Sequence, residues 1–453
     1  MLVMKFGGTS IGNAERIRNV AQIVKGNLAK TPIVIVSAVA GTTNALVNLA
    51  HESSRQSRVE MLEALRDAHK KILSDLDLDT YVLDTEFDEL EKLARGQRKT
   101  DKRMLDHYVS FGERLSAPIV AGALEKIGVP AKAFSAWEMG MITDEHFGRA
   151  EPLTTSYELI EKNITAVVKV RPSQTGRSDL HSLVPVITGY IGKSKKGAIT
   201  TLGRGGSDYT AAIIGAAIGA EAIQIWKEVD GIMTTDPRLV PEARVVPELA
   251  FEEASELAYF GAKVLHPKTI LPAMKAGISV QVLNTFNPLG KGTTIVSGFA
   301  DRKEKSRSVE ALTFKKGVIA VHIGSPEFFE GSGLMAKIFR IFEKYKTSID
   351  VVSTSVASVS LTIDNAENLE IIVRALSTLG YVVIERGKAI VCAVGGSVNA
   401  AGVAGRMFTV LGENNIAVEM ISQAAGGISI TFVVNERDAE KALKVLHKEY
   451  IKP

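Results

Sequence analysis

VMKFGGTSIG, Val3 to Gly12, runs apolar residues into Lys5, then two glycines, then two hydroxyls. A buried strand ends here, and a helical pattern, NAERIRNVAQIVKGNLAK, follows at once. At such a turn a bare glycine backbone approaches an anion closely, and the helix N-terminus offers unpaired N–H groups. Lys5 adds a positive charge, and the combination suits a polyphosphate. A lone Gly-Gly pair has a plainer reading, a tight turn that needs glycine, but the adjacent Lys, Thr and Ser favour the anion site. The stretch is neither a Walker A loop nor a GxGxxG dinucleotide fingerprint, which disfavours hydride transfer.

Working outward, PIVIVSAV (Pro32 to Val39) has the continuous apolar character of a central strand. LVPVITGYIG, AITTLG and EAIQIWKEV contain similar candidates, with helical patterns such as SELAYFGAK between strands. The alternation predicts an α/β fold with a mainly parallel sheet. Residues 53–108 are charged, with leucines at helical spacing, and read as a helical lobe over one face of the site. The basic cluster QRKTDKR (Gln97 to Arg103) is broken by Asp101 and reads as a solvated face that caps a helix.

A second glycine-rich junction, TTLGRGGSDYTAA (Thr200 to Ala212), surrounds Arg204 with glycines and opens a helix at Ser207-Asp208. Either residue is a natural N-cap. The Arg204 fork suits a carboxylate or phosphate. Two such junctions in one α/β domain predict a two-substrate site, with nucleotide phosphates at one and an acceptor at the other.

A chain of 453 residues exceeds one ordinary core and predicts two or three domains. Hydrophobic residues form 45% and charged residues 23%, an ordinary soluble balance, and the formal net charge of +3 argues against a nucleic-acid binder. Cys392 is the single cysteine, set in the apolar run AIVCAVGG, so the chain has no internal disulfide. No signal-like or membrane-spanning run is visible, and a cytoplasmic protein is expected.

Beyond the polar stretch at 300–308, read as a linker, the chain repeats itself. GLMAKIFRIFEKYKTSIDVVS (Gly333 to Ser353) aligns without a gap to GVAGRMFTVLGENNIAVEMIS (Gly402 to Ser422), offset by 69 residues. A strand and a helix follow each copy, giving two α+β units of βαββαβ order. Neither carries a nucleophile–base set, so the repeat reads as a binding module.

VMKFGGTSIG, VSAVAGTTNALV, SFGERLSAP, FGRAEP, VITGYIG, TTLGRGGSDYTAA, VDGIMTTDPR and FGAKVLHP, in this order, resemble the aspartate kinases of the amino acid kinase superfamily. The repeat resembles their paired ACT domains. The resemblance implies an amino acid kinase domain over 1–299 and ACT units over about 317–386 and 388–453, with a strand from 309–314 joining the second. It implies transfer of the ATP γ-phosphoryl group to the β-carboxylate of L-aspartate, giving 4-phospho-L-aspartate, the entry to lysine, threonine and methionine synthesis. Lys5 and Asp208 match the catalytic positions. Thr43, Glu113, Arg204, Gly205, Gly206 and Ser207 match the aspartate site. Phe6, Gly7, Gly8, Lys227, Glu228, Met233, Arg238, Lys263 and Val264, with Lys5, match nucleotide contacts. Gly333, Leu334, Asp350, Thr354 and Ser355 match an effector site. Mg2+ is expected to arrive with ATP, with no dedicated protein ligand. A homodimer through the ACT region is also implied.

The chain departs from the family in four places, one of them SQAAGGIS (Ser422 to Ser429) in the second unit, which lacks the usual Ser-Glu followed by Asn. WKEV puts Lys227-Glu228 where Thr-Asp is usual, which predicts altered nucleotide affinity, and Tyr190 stands at a usual phenylalanine. STSVASV (Ser353 to Val359) has Val356 where lysine-sensitive relatives carry glutamate, which predicts weakened lysine control. The eight histidines are scattered, and His266 before Pro267 reads as a turn former. An ionised acceptor carboxylate needs no general base, so direct in-line transfer is expected. The alternatives are another amino acid kinase fold enzyme, acting on glutamate or N-acetylglutamate, and a non-catalytic amino-acid sensor. FGER and the repeat argue against the first, and the retained Lys5, Glu113, Arg204 and Asp208 against the second.

Overall fold

The structure is a computed structural model and describes residues 1–96, 100–169, 183–261, 264–298, 307–325, 333–423 and 427–451. The chain forms two compact units. One holds Met1–Ile232, Pro247–Phe251 and Val264–Asp301; the other holds Met233–Val246, Glu252–Lys263 and Arg302–Pro453. Two segments expected with the first 299 residues, 233–246 and 252–263, therefore fold with the C-terminal part. Residues 300–306 of the expected linker lie outside the described residues.

In chain order the elements begin with β1 (Leu2–Phe6), α1 (Ala14–Lys25), β2 (Pro32–Val36), α2 (Thr42–His51), α3 (Arg55–Asp75), α4 (Asp84–Arg95) and α5 (Lys102–Lys126). Then come β3 (Ala131–Phe134), β4 (Ile142–Thr143), α6 (Thr155–Lys169), β5 (Val184–Thr188), β6 (Ile191–Ser194), β7 (Ile199–Thr201), α7 (Gly206–Ala217) and β8 (Ala222–Lys227). The series closes with β9 (Glu248–Ala250), α8 (Phe251–Tyr259), α9 (Pro267–Lys275), β10 (Val280–Asn284) and β11 (Thr293–Val296). The main sheet has the order β3-β5-β2-β1-β8-β10-β11-β9. Its neighbours are parallel except β10 and β11. Every residue of β1, β2 and β5 is buried, which is why these strands show apolar runs instead of alternation.

The expected lobe is helical, and it is not a separate body. Leu62 and Leu73 of α3 and Phe87 and Leu90 of α4 share one core with Met4, Phe6, Val34 and Val36 of the sheet. Asp101 caps α5 by accepting the Met104 N–H at 2.7 Å, while Gln97 to Lys99 lie outside the described residues. LVPVITGYIG divides between two sheets. β5 lies in the main sheet, and β6 in a small sheet, β4-β6-β7, that also takes AITTLG as β7. The division falls at Gly189-Tyr190, where Tyr190 adopts φ 67°, a left-handed conformation uncommon for a side chain of this size.

The second unit contains β12 (Ala311–Gly324), α10 (Leu334–Lys344), β13 (Val352–Thr354), β14 (Ser358–Ile363), α11 (Leu369–Leu376) and β15 (Tyr381–Val394). It ends with α12 (Val403–Glu413), β16 (Val418–Gln423), β17 (Ser429–Asn435) and α13 (Ala439–Tyr450). Its sheet runs β13-β14-β12-β15-β17-β16. Alternate residues supply two cores: Ile319, Val321 and Ile323 pack with α10 and α11, and Ala389, Val391 and Ala393 with α12 and α13. β12 serves both halves. Ala311–Lys315 pairs with Ile390–Val394, and Val318–Gly324 with Tyr381–Lys388. Leu312 accordingly lies in the core of the second repeat. Cys392 is buried there, and burial pushes its thiol up to about 12. Among the described residues no helix is long and apolar enough to cross a membrane.

Candidate active site

Four parallel strands, β5, β2, β1 and β8, end on the same side of the main sheet. Ligands of open α/β sheets bind at such carboxyl ends. β1 supplies Lys5 and then Gly7-Gly8. A Cβ at Gly8 would lie 2.6 Å from the Ala38 carbonyl oxygen, so only glycine fits beside the chain leaving β2. That chain, Ser37 to Ala40, turns at Gly41 (φ 86°) into α2, and no side chain caps the helix. β7 leads through Gly203, Arg204 and Gly205 into α7, which also starts on a left-handed glycine without a side-chain cap. Both helix starts line a cavity of about 690 Å³, through Gly41 and Thr43 on one side and Gly206 and Ser207 on the other. Their unpaired N–H groups and dipoles favour anions.

The charges are concentrated in this cavity. Asp208, in the first turn of α7, lies 2.6 Å from Lys5 Nζ and 3.0 Å from Lys227 Nζ. Burial opposes the Asp208 carboxylate, but the two ammonium groups outweigh it and hold its pKa below the usual range. Burial also lowers the Lys5 pKa, against the opposing pull of Asp208. Glu113 projects from the middle of α5. Its Oε1 accepts the Ala38 N–H at 3.1 Å, whereas buried Oε2 has no partner. Burial pushes the Glu113 carboxyl up to about 8. Arg204 is exposed on the glycine loop, and no carboxylate pairs with it among the described residues.

The structure thus brings together Lys5, Gly8, Thr43, Glu113, Arg204, Gly205, Gly206, Ser207, Asp208 and Lys227 around one cavity. Phe6 turns into the core and stacks on Trp226, with ring centroids 5.9 Å apart. The Gly7 N–H is taken by the Trp226 carbonyl at 3.2 Å. Glu228 is exposed at the end of β8. Met233 and Arg238 belong to the second unit, where Met233 bridges Val245 and Arg238 grips Asp236 at 2.6 Å. Lys263 lies outside the described residues, and the Val264 carbonyl accepts a hydrogen bond from Lys227 Nζ. His266 sits at the N-cap position of α9 and its carbonyl accepts the Thr269 N–H at 2.8 Å, a turn-forming role as its sequence suggested.

The effector candidates lie in the second unit. Gly333 (φ 123°) precedes α10, whose first residue, Leu334, is buried. Asp350 is already engaged: Lys315 Nζ lies 3.0 Å from both its oxygens, and the Tyr259 hydroxyl donates at 2.7 Å. Thr354 and Ser355 are exposed beside the β13–β14 turn.

Ser37 to Ala40, Tyr190 and Gly148, which the sequence offered only inside longer motifs and without a site role, also stand in the cavity wall. The first was detectable, since it follows directly on a buried parallel strand. The others sit at a turn and a bend that only the fold brings to the cavity.

An amino acid kinase family model matches residues 1–284, and an ACT domain model matches residues 391–450. Aspartokinase 1, chloroplastic, of Arabidopsis thaliana is 37% identical over 467 residues, covering 99% of this chain and 80% of that protein. Lysine-sensitive aspartokinase 3 of Escherichia coli strain K12 is 34% identical over 464 residues, covering 99% of this chain and 98% of that protein. The crystal structure of E. coli aspartokinase III in complex with aspartate and ADP, in its R-state, superposes with a TM-score of 0.81 at 33% identity over the whole of both chains. The full-length likeness in both sequence and fold agrees with the two glycine turns and their charges: this chain belongs to the amino acid kinase family and, within it, to the aspartokinases.

Proposed function

We propose that the cavity takes ATP at the Lys5 turn and L-aspartate at the Arg204 loop, and transfers the γ-phosphoryl group directly to the β-carboxylate. The carrying observation is that a buried, half-satisfied carboxylate, Glu113, and the guanidinium of Arg204, which no carboxylate among the described residues engages, stand in the wall that also holds Lys5 and Asp208. A zwitterionic acceptor needs this combination. Its ammonium meets Glu113 Oε2, and a carboxylate meets Arg204. An N-acetylated acceptor lacks the cation that would ionise Glu113, so this geometry disfavours it.

Both reacting groups are anionic, and the site must first offset their repulsion. Lys5 and the N-termini of α2 and α7 supply positive potential where charge spreads over the transferring group. The aspartate β-carboxylate is ionised without help at neutral pH, so no general base is required. Asp208 is bridged by two lysines and is not a free metal ligand. Mg2+ therefore fits as an ion carried on the ATP phosphates, where it adds charge neutralisation. Two copies pair through the second unit, which carries the two repeats on one continuous sheet. An amino-acid effector acts there. ATP-dependent trapping of the acyl phosphate by hydroxylamine tests the reading; absence of hydroxamate with L-aspartate contradicts it.

A further inference from the structure

Lys227 was expected only as a nucleotide contact, yet its side chain turns into the phosphoryl end of the cavity. The strand geometry explains why. Lys5 on β1 is registered with Ile225 on parallel β8. Side chains alternate with period two, so Lys5, Ile225 and Lys227 project from one face of the sheet, with Lys227 one pleat further along. Asp208 comes from α7 and lies between the ammonium groups, 2.6 Å from Lys5 and 3.0 Å from Lys227. Lys227 is anchored from the other side by the Val264 carbonyl. Among the described residues, the charged groups facing Lys5 are thus Asp208, Lys227 and, further off, Glu113.

A Lys5–Asp208 pair alone would be electrically neutral. Its carboxylate would compete with a phosphate for the same ammonium, and withdrawing Lys5 would strand a buried anion, which is strongly unfavourable. With Lys227 present the trio carries one net positive charge, and Asp208 keeps a cationic partner while Lys5 moves. On the reading of this cavity as the site of phosphoryl transfer, we propose that Lys227 is a positioning residue that holds Asp208 and so releases Lys5 to the transferring phosphoryl group. A threonine at this position, usual in the family, cannot supply that charge, and among the described residues Lys5, Asp208 and Lys227 form a three-member charge cluster.

The test uses the full chain and the variants Lys227→Met and Lys227→Arg, with thermal unfolding as a folding control. The expected result for Lys227→Met is a fall in kcat of roughly tenfold or more with aspartate KM little changed, because the lost interaction acts in the transition state. Lys227→Arg is expected to recover most of that loss. The second readout is pH. Burial lowers the Lys5 pKa, Asp208 opposes it, and the Lys227 charge lowers it further. Removing that charge is expected to move the alkaline limb of kcat/KM for ATP to higher pH, a shift that loss of packing alone would not cause. An unchanged kcat, or an unmoved limb, in an active and folded Lys227→Met enzyme overturns this role for Lys227 alone. If Lys227→Met does not fold, Lys227→Arg decides: near-wild-type kcat supports the role, and a loss of tenfold or more overturns it. A wild-type chain that makes no acyl phosphate overturns the reading of the cavity as well.

Discussion

Glu113 shows how one buried residue sets a measurable property. Its carboxyl is held near 8 in the free site, so most of it is protonated at neutral pH. Pairing with a substrate ammonium requires it to ionise, and kcat/KM for aspartate is therefore predicted to rise with pH and level off above about 8. Glu113→Gln is predicted to lose this rise and to fall at least tenfold at the plateau, as expected when a buried charged partner is removed. Stability follows the opposite course. Because the folded-state pKa exceeds the unfolded value, the folded chain binds the extra proton between about 4.5 and 8, and stability falls as pH climbs through that window. Melting curves at pH values below and above 8 check the sign: Glu113→Gln gains relative to the wild type as pH rises. A pH-independent aspartate kcat/KM would remove Glu113 from the ammonium site. Arg204 was legible because glycines bracket it, and Lys5 and Asp208 because each lies within two residues of a Gly-Gly pair. The depth of Glu113 in α5 and the meeting of Lys227 with Asp208 were not, since both depend on packing and register that no short motif encodes.

At the scale of elements, the strands were legible as apolar runs, but their assignment to sheets was not. LVPVITGYIG reads as one strand, and only the backbone at Gly189-Tyr190 divides it into β5 and β6. The repeat was plain because its two copies share a gapless pattern, and β12 spans both because 311–315 has a full set of partners in β15. The β13–β14 turn carries the regulatory prediction. Val356 is 74% exposed there, and the side chain of Asp350, the acidic residue that persists nearby, is covered and bound by Lys315 and Tyr259. A lysine ammonium would have to displace Lys315 to reach it. Weak L-lysine binding and little inhibition are therefore predicted, with Val356→Glu increasing the affinity through a new charge-assisted contact. Titration calorimetry with L-lysine, alongside inhibition curves, decides the point. Tight stoichiometric binding with strong inhibition by the unaltered chain would contradict it.

For the whole molecule, the linear and spatial divisions differ. Residues 233–246 and 252–263 precede the repeat in sequence but fold with it. A truncation near residue 300 would strip these segments of their partners, so the assembly is best examined in the full chain, where light scattering is predicted to give twice the chain mass. A monomer at working concentration would contradict pairing through the second unit. The same chain supplies the most direct test of the central claim, that Lys5 and Asp208 preside over phosphoryl transfer from ATP to the β-carboxylate of L-aspartate. Hydroxylamine trapping with ATP is to be run on the wild type with L-aspartate, L-glutamate and N-acetyl-L-glutamate, and on Lys5→Met with L-aspartate, with ATP binding measured in parallel. The account predicts hydroxamate from L-aspartate alone, and at least a roughly hundredfold loss in a Lys5→Met enzyme that still binds ATP, the scale expected when a charge acting in the transition state is removed. Undiminished hydroxamate from Lys5→Met, or none from the wild type with L-aspartate, would contradict it.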